Sequence, residues 1–225
     1  MPADARHLSL FLKQIARTVA QPRFVKVGAN DGLTGDPCGD HFLTNTHWTG
    51  LLIEPVPHLA DQLRLNYADR SRFTINQVAV GRTPGTAVFY CVSDDAKRLN
   101  PDLPSWCDQL GSFDRRHIIN HDARLEPFIR AMEVPVEPLQ QILERHGFTD
   151  IDFLQIDTEG HDLQVLHSVD LGAMAPLGIW VEYKHLSAED QSELRSYLEH
   201  HGYEVWVADG DYFAVHREAL IRMLR

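Results

Sequence analysis

Phe24-Val25-Lys26-Val27-Gly28-Ala29-Asn30-Asp31-Gly32 opens as a short β-prone run and breaks into a loop bounded by glycines. It reads as a strand ending in a tight, ligand-accessible turn. The same grammar recurs downstream. Leu51-Leu52-Ile53 is an apolar run of buried-strand type, closed by Glu54-Pro55 and followed by a helical stretch over 57–67. Residues 73–80 read as a third strand ended by Gly81. Residues 86–92 read as a fourth, pairing with its predecessor across the Pro84-Gly85 turn.

Towards the C-terminus, Val134 and Val136 give a short β segment. Leu139, Ile142 and Leu143 mark a helix with Gly147 as its stop. Residues 151–156 form another buried strand, ending in Asp157-Thr158-Glu159-Gly160, and a helix begins near Leu163. Residues 177–183 are a strand running into Glu182-Tyr183-Lys184-His185. Ser187 with Asp190 resembles a capping box for a helix that stops at Gly202. Residues 203–207 and 212–216 flank Asp209-Gly210, a strong hairpin signal. Upstream of all this, Leu8, Phe11, Leu12, Ile15 and Val19 form one apolar stripe, which predicts an N-terminal helix over 6–20. Strands alternating with helices predict a mainly parallel sheet with helices on both faces, and the hairpin adds an antiparallel edge strand. Residues 93–131 lack a period and are too long for an ordinary connection. They read as a substrate-side insertion in a single domain spanning 1–225.

Composition narrows the function. The chain has 225 residues, 44% hydrophobic, enough for one sizeable core. A formal net charge of -11 disfavours nucleic acid and anionic membrane as partners, because both need clustered Lys and Arg. The three cysteines are widely spaced and fit neither a disulfide framework nor a zinc site. No run approaches the ~18 apolar residues of a membrane span. With no basic-then-apolar leader at the start, a cytoplasmic location is expected. The 13 histidines are scattered, with pairs such as His200-His201 adjacent rather than one helical turn apart, and are read mostly as surface residues.

Ligands of open α/β sheets bind at the carboxyl ends of the strands. Those ends are the 28–32 loop, Glu54, residues 76–79, residues 157–161 and residues 182–185. Glycines after a strand let backbone approach a ligand closely. An acid some twenty residues on is placed to accept hydrogen bonds from ribose hydroxyls, and Glu54 fills that position. The loop lacks the G-x-G-x-x-G spacing of a dinucleotide fold. Asp31 would repel a pyrophosphate and suits the ammonium of an amino acid, which points to S-adenosylmethionine. Asp157, Glu159 and His161 after an apolar strand offer acid/base or metal chemistry. Glu182 and His185, on the neighbouring strand, are expected to approach them. Asp157, Glu159 and Glu182 are a candidate Mg²⁺ set.

Taken in order, Val25 to Gly32, Ile53-Glu54-Pro55, Asn76-Gln77-Val78-Ala79-Val80-Gly81 and Ile151 to Asp162 resemble the signature blocks of the FkbM-like family of S-adenosylmethionine-dependent methyltransferases. The resemblance implies a Rossmann-like methyltransferase fold with a seven-stranded sheet. It also implies O-methylation of a small molecule, often a sugar or secondary metabolite. Carried over by position, Gly28, Ala29, Asn30, Asp31 and Gly32 hold the methionine part, Glu54 the ribose, and Val78 and Ala79 lie near the adenine. Asp157 faces the transfer centre. Asp157 and His185 are the expected catalytic residues, with His161 as second choice for the base. The family commonly has an acid at position 26 and a lysine at position 155, where this chain has Lys26 and Gln155. Those departures leave a non-catalytic nucleoside-binding module as the alternative. In the insertion, Trp106, Phe113 and Phe128 offer apolar walls, and Arg115, Arg116 and His117 a cation cluster for an acidic acceptor. A homo-oligomer through the N-terminal helix is a further expectation.

Overall fold

A computed structural model describes residues 4–69 and 71–219. The strands are β1 Arg23–Val27, β2 Thr49–Ile53, β3 Phe73–Asn76, β4 Ala79–Val80, β5 Gly85–Val92, β6 Gly111–Ser112, β7 Ile129–Glu137, β8 Phe153–Ile156, β9 Gly178–Glu182, β10 Tyr203–Ala208 and β11 Asp211–His216. The helices are α1 Ala5–Thr18, α2 Gly39–Thr44, α3 Pro57–Asn66, α4 Ala96–Leu99, α5 Arg115–His121, α6 Leu139–His146, α7 Asp162–Leu166, α8 Leu171–Met174 and α9 Ala188–His200.

Seven strands form the main sheet, in the order β10-β11-β9-β8-β1-β2-β3. The five from β9 to β3 are mutually parallel. This is the expected α/β Rossmann-like architecture. β11 runs antiparallel between β9 and β10, so the reversed strand lies one in from the edge, not on it. The reason is local: the Asp209-Gly210 turn has both residues at positive φ, which folds β11 straight back along β10.

Side chains alternate across the sheet. Val25, Val27, Leu51, Ile53, Leu154, Ile156, Ile179 and Val181 pack with α6, α7 and α9 on one face. Phe24, Leu52, Phe153 and Trp180 pack with α1, α2 and part of α3 on the other. The α1 stripe is spent here: Leu8, Leu12 and Ile15 are fully buried, each contributing about 1.5–3 kcal/mol, and Phe11 meets Phe213 edge-on at 5.3 Å. That apolar face therefore covers the chain's own sheet and is not left for a partner. Among the described residues no helix is long and apolar enough to cross a membrane.

Two strand assignments change. The run 73–80 is not one strand. It breaks at Gln77-Val78, with β3 in the main sheet and β4 in a second sheet of order β4-β7-β5-β6. β5 does not pair with its predecessor across Pro84-Gly85. Both β4 and β5 pair with β7, one on each side of it, because β7 is nine residues long and extends from Ile129. The segment 93–131 is therefore ordered up to the start of β7. Val92, Ala96, Leu103, Cys107, Leu110, Ile118 and Leu125 form its own small core.

Candidate active site

The chain reverses direction across the sheet between β1 and β8, which lie side by side. Their carboxyl ends, with those of β2 and β9, open on a cavity of about 510 Å³, inside the usual ~300–1,000 Å³ of small-molecule sites. Gly28 stands where the loop crosses β8. A Cβ there would lie 1.7 Å from the Asp157 carbonyl oxygen, and its φ is +74°. Only glycine lets the two strand ends meet so closely.

Glu54, at the end of β2, is buried. Its two carboxylate oxygens accept from the backbone N–H groups of Asn30 and Val56, each at 2.8 Å. Burial nevertheless pushes its carboxyl up to about 7, against the pull of those amides and of Lys26. Gly28, Asn30, Glu54, Val78 and Ala79 all line the cavity, and the Asn30 side chain donates to the Gln109 carbonyl at 3.0 Å. Ala29, Asp31 and Gly32 do not line it. The Asp31 carboxylate turns back into its own loop, accepting from Leu33 N, Thr34 N and Thr34 Oγ1 at 2.8, 2.8 and 2.6 Å. These hydrogen bonds from its own turn, with Lys26, outweigh the burial of the Asp31 carboxylate and keep its pKa below the ordinary value.

On the cavity floor, the two residues that depart from the family pattern are paired across β1 and β8 and share one partner. Lys26 Nζ lies 2.6 Å from Asp36 Oδ2, and Gln155 Nε2 donates to Asp36 Oδ1 at 3.1 Å. The ion pair is almost completely buried.

Asp157 opens onto the cavity from the end of β8. Asp157 is itself exposed, yet desolvation by the protein around its carboxyl, with the charges of Glu159, Asp162 and Asp211, pushes that carboxyl up to about 8. The following turn is tightly built. Glu159 has φ +53°, a conformation that costs a non-glycine residue about 1–2 kcal/mol. Asp162 holds it by accepting from Thr158 N and Gly160 N at 3.0 and 3.2 Å, and Ser112 Oγ donates to the Glu159 carbonyl at 3.1 Å. Glu182, at the end of β9, is buried and pushed up to about 10 by that burial and by Asp157 and Glu159. It is paired with Lys184 Nζ at 2.7 Å. The acidic oxygens of Asp157, Glu159 and Glu182 lie within 4.8 Å of one another, so the expected carboxylate group does assemble. His185 Nε2 lies 3.5 Å from Glu159 Oε2 and 3.7 Å from Glu182 Oε1. Burial lowers its pKa to about 4, and burial also lowers that of His161, which lies against the Phe113 ring. Both imidazoles are neutral at neutral pH.

The insertion folds over this cavity through Trp106, Gln109, Leu110, Gly111, Phe113 and His121. Phe128 packs instead into the insertion's own core. Arg115 and Arg116 do not form a cationic wall: neither lines the cavity, and Arg115 is paired with Glu126 at 3.1 Å on the outside. Helix α5 turns His117 inward and its arginines outward, because Asp114 caps it and Ile118 anchors it. Asp36, Lys184 and His121 were missed in the sequence, and His117 was read there only as part of a cation cluster with Arg115 and Arg116. His117 and His121 carried a signal, being four apart and so one helical turn apart.

A search of curated proteins finds no match. Among solved structures, the chain is similar to two of the METTL16 methyltransferase domain. Each is 10% identical and covers 93% of this chain, with TM-scores of 0.47 and 0.48. The chain spans only 64% and 65% of those two. It is also similar to precorrin-6y C5,15-methyltransferase from Geobacter metallireducens GS-15, at 11% identity and TM-score 0.43, covering 93% of this chain and 86% of that one. The model of the "Methyltransferase FkbM domain" matches residues 26–205, which takes in every strand end described above. The chain belongs to the FkbM methyltransferase-domain family and carries its Rossmann-like methyltransferase fold.

Proposed function

We propose that this protein transfers the methyl group of S-adenosylmethionine to a hydroxyl of a small molecule, with Asp157 taking the hydroxyl proton. The observation that carries this reading is the meeting of Glu54 and Asp157 in one cavity between β1, β2 and β8. The donor fits the residues present. Glu54 retains lone pairs toward the cavity while two amides fix it, which suits two ribose hydroxyls. Val78 and Ala79 offer an apolar wall for a flat base. Lys26 and Asp36 line the cavity floor already paired with each other, so an amino-acid end would meet a buried ion pair there.

When bound, the donor supplies a reactive sulfonium methyl. The chain aligns the acceptor and removes its proton. Alignment of this kind contributes up to about 7–11 kcal/mol. A general base adds roughly 10²–10⁴-fold and acts best with a pKa near the working pH. Asp157, pushed up to about 8, meets that condition better than His185 at about 4. Trp106 and Phe113, from the insertion, wall the acceptor side.

The test is methyl transfer to a panel of hydroxylated sugars and metabolites, with S-adenosylhomocysteine binding measured in parallel. Asp157→Asn is expected to bind the nucleoside and lose at least ~100-fold in turnover. Full turnover in that variant overturns the role of Asp157. Nucleoside binding with no transfer to any acceptor by the wild type favours the non-catalytic module.

A further inference from the structure

Three imidazoles converge on the Glu159 carboxylate. His117 Nε2 lies 2.6 Å from Glu159 Oε2, His185 Nε2 3.5 Å and His121 Nε2 3.8 Å. The rings pack with centroids 4.6–4.7 Å apart. One hydrogen bond, from His117, accounts for the first distance. The other two are too long for good hydrogen bonds, and His185 Nε2 is buried without a hydrogen-bond partner. Three imidazole nitrogens are aimed at one anion, and only the one from His117 makes a hydrogen bond to it. That arrangement calls for a cation at its centre.

We infer that His117, His121, His185 and Glu159 form a binding site for a first-row transition-metal dication. The donor set is the first reason. Three imidazoles and one carboxylate suit Zn²⁺, Co²⁺ or Fe²⁺, whereas Mg²⁺ prefers oxygen. The four ligand atoms lie within 4.8 Å of one another. A tetrahedral ion with bonds of about 2.0–2.1 Å sets its ligands about 3.3 Å apart, within side-chain reach of that arrangement.

The support around the ligands is the second reason. His121 Nδ1 lies 3.0 Å from the His117 carbonyl. That contact places the proton on Nδ1 and leaves the Nε2 lone pair directed at the cluster, as the outer partners of metal-bound histidines do. Glu159 is held in its strained conformation from two sides, by Asp162 and by Ser112. Such strain persists only where the surroundings enforce it. The three-carboxylate alternative suits such an ion less well, because it offers oxygen donors only, with Glu182 Oε1 already paired with Lys184 at 2.7 Å and only its Oε2 unpartnered.

His121, Glu159 and His185 line the cavity, so a position added by expansion to five-coordinate would face the proposed acceptor. The role of the ion rests on the methyl-transfer reading; its binding does not. Held by His117, His121, His185 and Glu159, the ion would supply Lewis acidity to the acceptor hydroxyl, whose proton passes to Asp157. The oxygen lone pair then forms a bond to the methyl carbon as the carbon–sulfur bond breaks, leaving a methyl ether and a neutral thioether.

The experiment titrates Co²⁺ into chelator-stripped protein and follows its visible ligand-field bands. Mg²⁺ serves as competitor, and S-adenosylhomocysteine binding is measured in each sample. The wild type is expected to bind a single Co²⁺ that Mg²⁺ does not displace. The double variant His117→Ala/His121→Ala is expected to bind Co²⁺ about a hundredfold more weakly or worse. Retained nucleoside affinity in that variant shows that it is folded. Should α5 fail to order in it, His121→Asn alone serves, with weaker binding and shifted bands expected. Equal Co²⁺ affinity in wild type and variants, or displacement of Co²⁺ by equimolar Mg²⁺, overturns the site. Co²⁺ binding as expected without nucleoside binding overturns the methyl-transfer reading and leaves the metal site standing.

Discussion

Lys26 illustrates how a single residue departs from a family pattern without emptying the site. Its ammonium is buried against Asp36, and Gln155 donates to the other oxygen of the same carboxylate. The two substitutions therefore act as one unit with a third residue that no signature block contains. Removing one member of a buried pair leaves an uncompensated charge, which costs about 3–5 kcal/mol. Lys26→Met is expected to lower unfolding free energy by that amount in chemical denaturation. Lys26→Met with Asp36→Asn is expected to recover most of it, since the amide keeps a contact with Gln155 and carries no charge. A loss under about 1 kcal/mol in the single variant would mean that water reaches the pair. Glu54 and Asp157 were legible in the sequence because each follows an apolar strand directly. Asp36 was not, because it lies in a polar loop and only the fold brings it beneath β1 and β8.

At the scale of elements, legibility follows the apolar pattern. β1, β2, β8 and β9 were readable because both faces of the sheet are covered and each strand is a buried run. The 73–80 run kept its β character, yet the break at Gln77 carries no local mark: β4 leaves the main sheet to pair with β7, Ala79 meeting Val136 far along the chain. Helix α5 was invisible because it buries only Ile118 and so has no apolar stripe. The C-terminal hairpin was the clearest signal, and its turn reaches the site. The Gly210 carbonyl accepts from the Tyr183 and Lys184 amides, both at 3.0 Å. Gly210 has φ +100°, and a Cβ there would lie 2.8 Å from Lys184 Cδ. Gly210→Ala is therefore expected to cost about 1–2 kcal/mol from backbone strain. It is also expected to shift Lys184 away from Glu182, which lowers methyl transfer. Unchanged stability in thermal unfolding would remove the claim that this turn positions the end of β9.

For the whole molecule, the cavity is a place where folding gathers carboxylates that the ligand must then accommodate, and this makes binding depend on pH. Glu54 titrates near 7 in the folded chain against an ordinary value of 4.5. The folded state thus holds its proton more tightly than the unfolded state. The stability this contributes is fully present below about 4.5 and is lost as pH rises through about 7. Ribose hydroxyls reverse the preference, because they donate to the ionised carboxylate. Nucleoside binding should then release a proton and strengthen with pH, levelling above about 7. If only the ionised form binds, S-adenosylhomocysteine affinity at pH 6 is about tenfold weaker than at pH 8. Calorimetry at both pH values in buffers of different ionisation enthalpy measures the affinity and the proton together. The thermal stabilisation by saturating nucleoside should likewise be larger at pH 8 than at pH 6. Glu54→Gln is expected to weaken binding and to abolish most of its pH dependence. An affinity that stays level between pH 6 and 8 in the wild type would mean that Glu54 does not hold the ribose. The cavity would then need another anchor for the donor, and the other groups on its floor, Lys26 and Asp36, would be the next to vary.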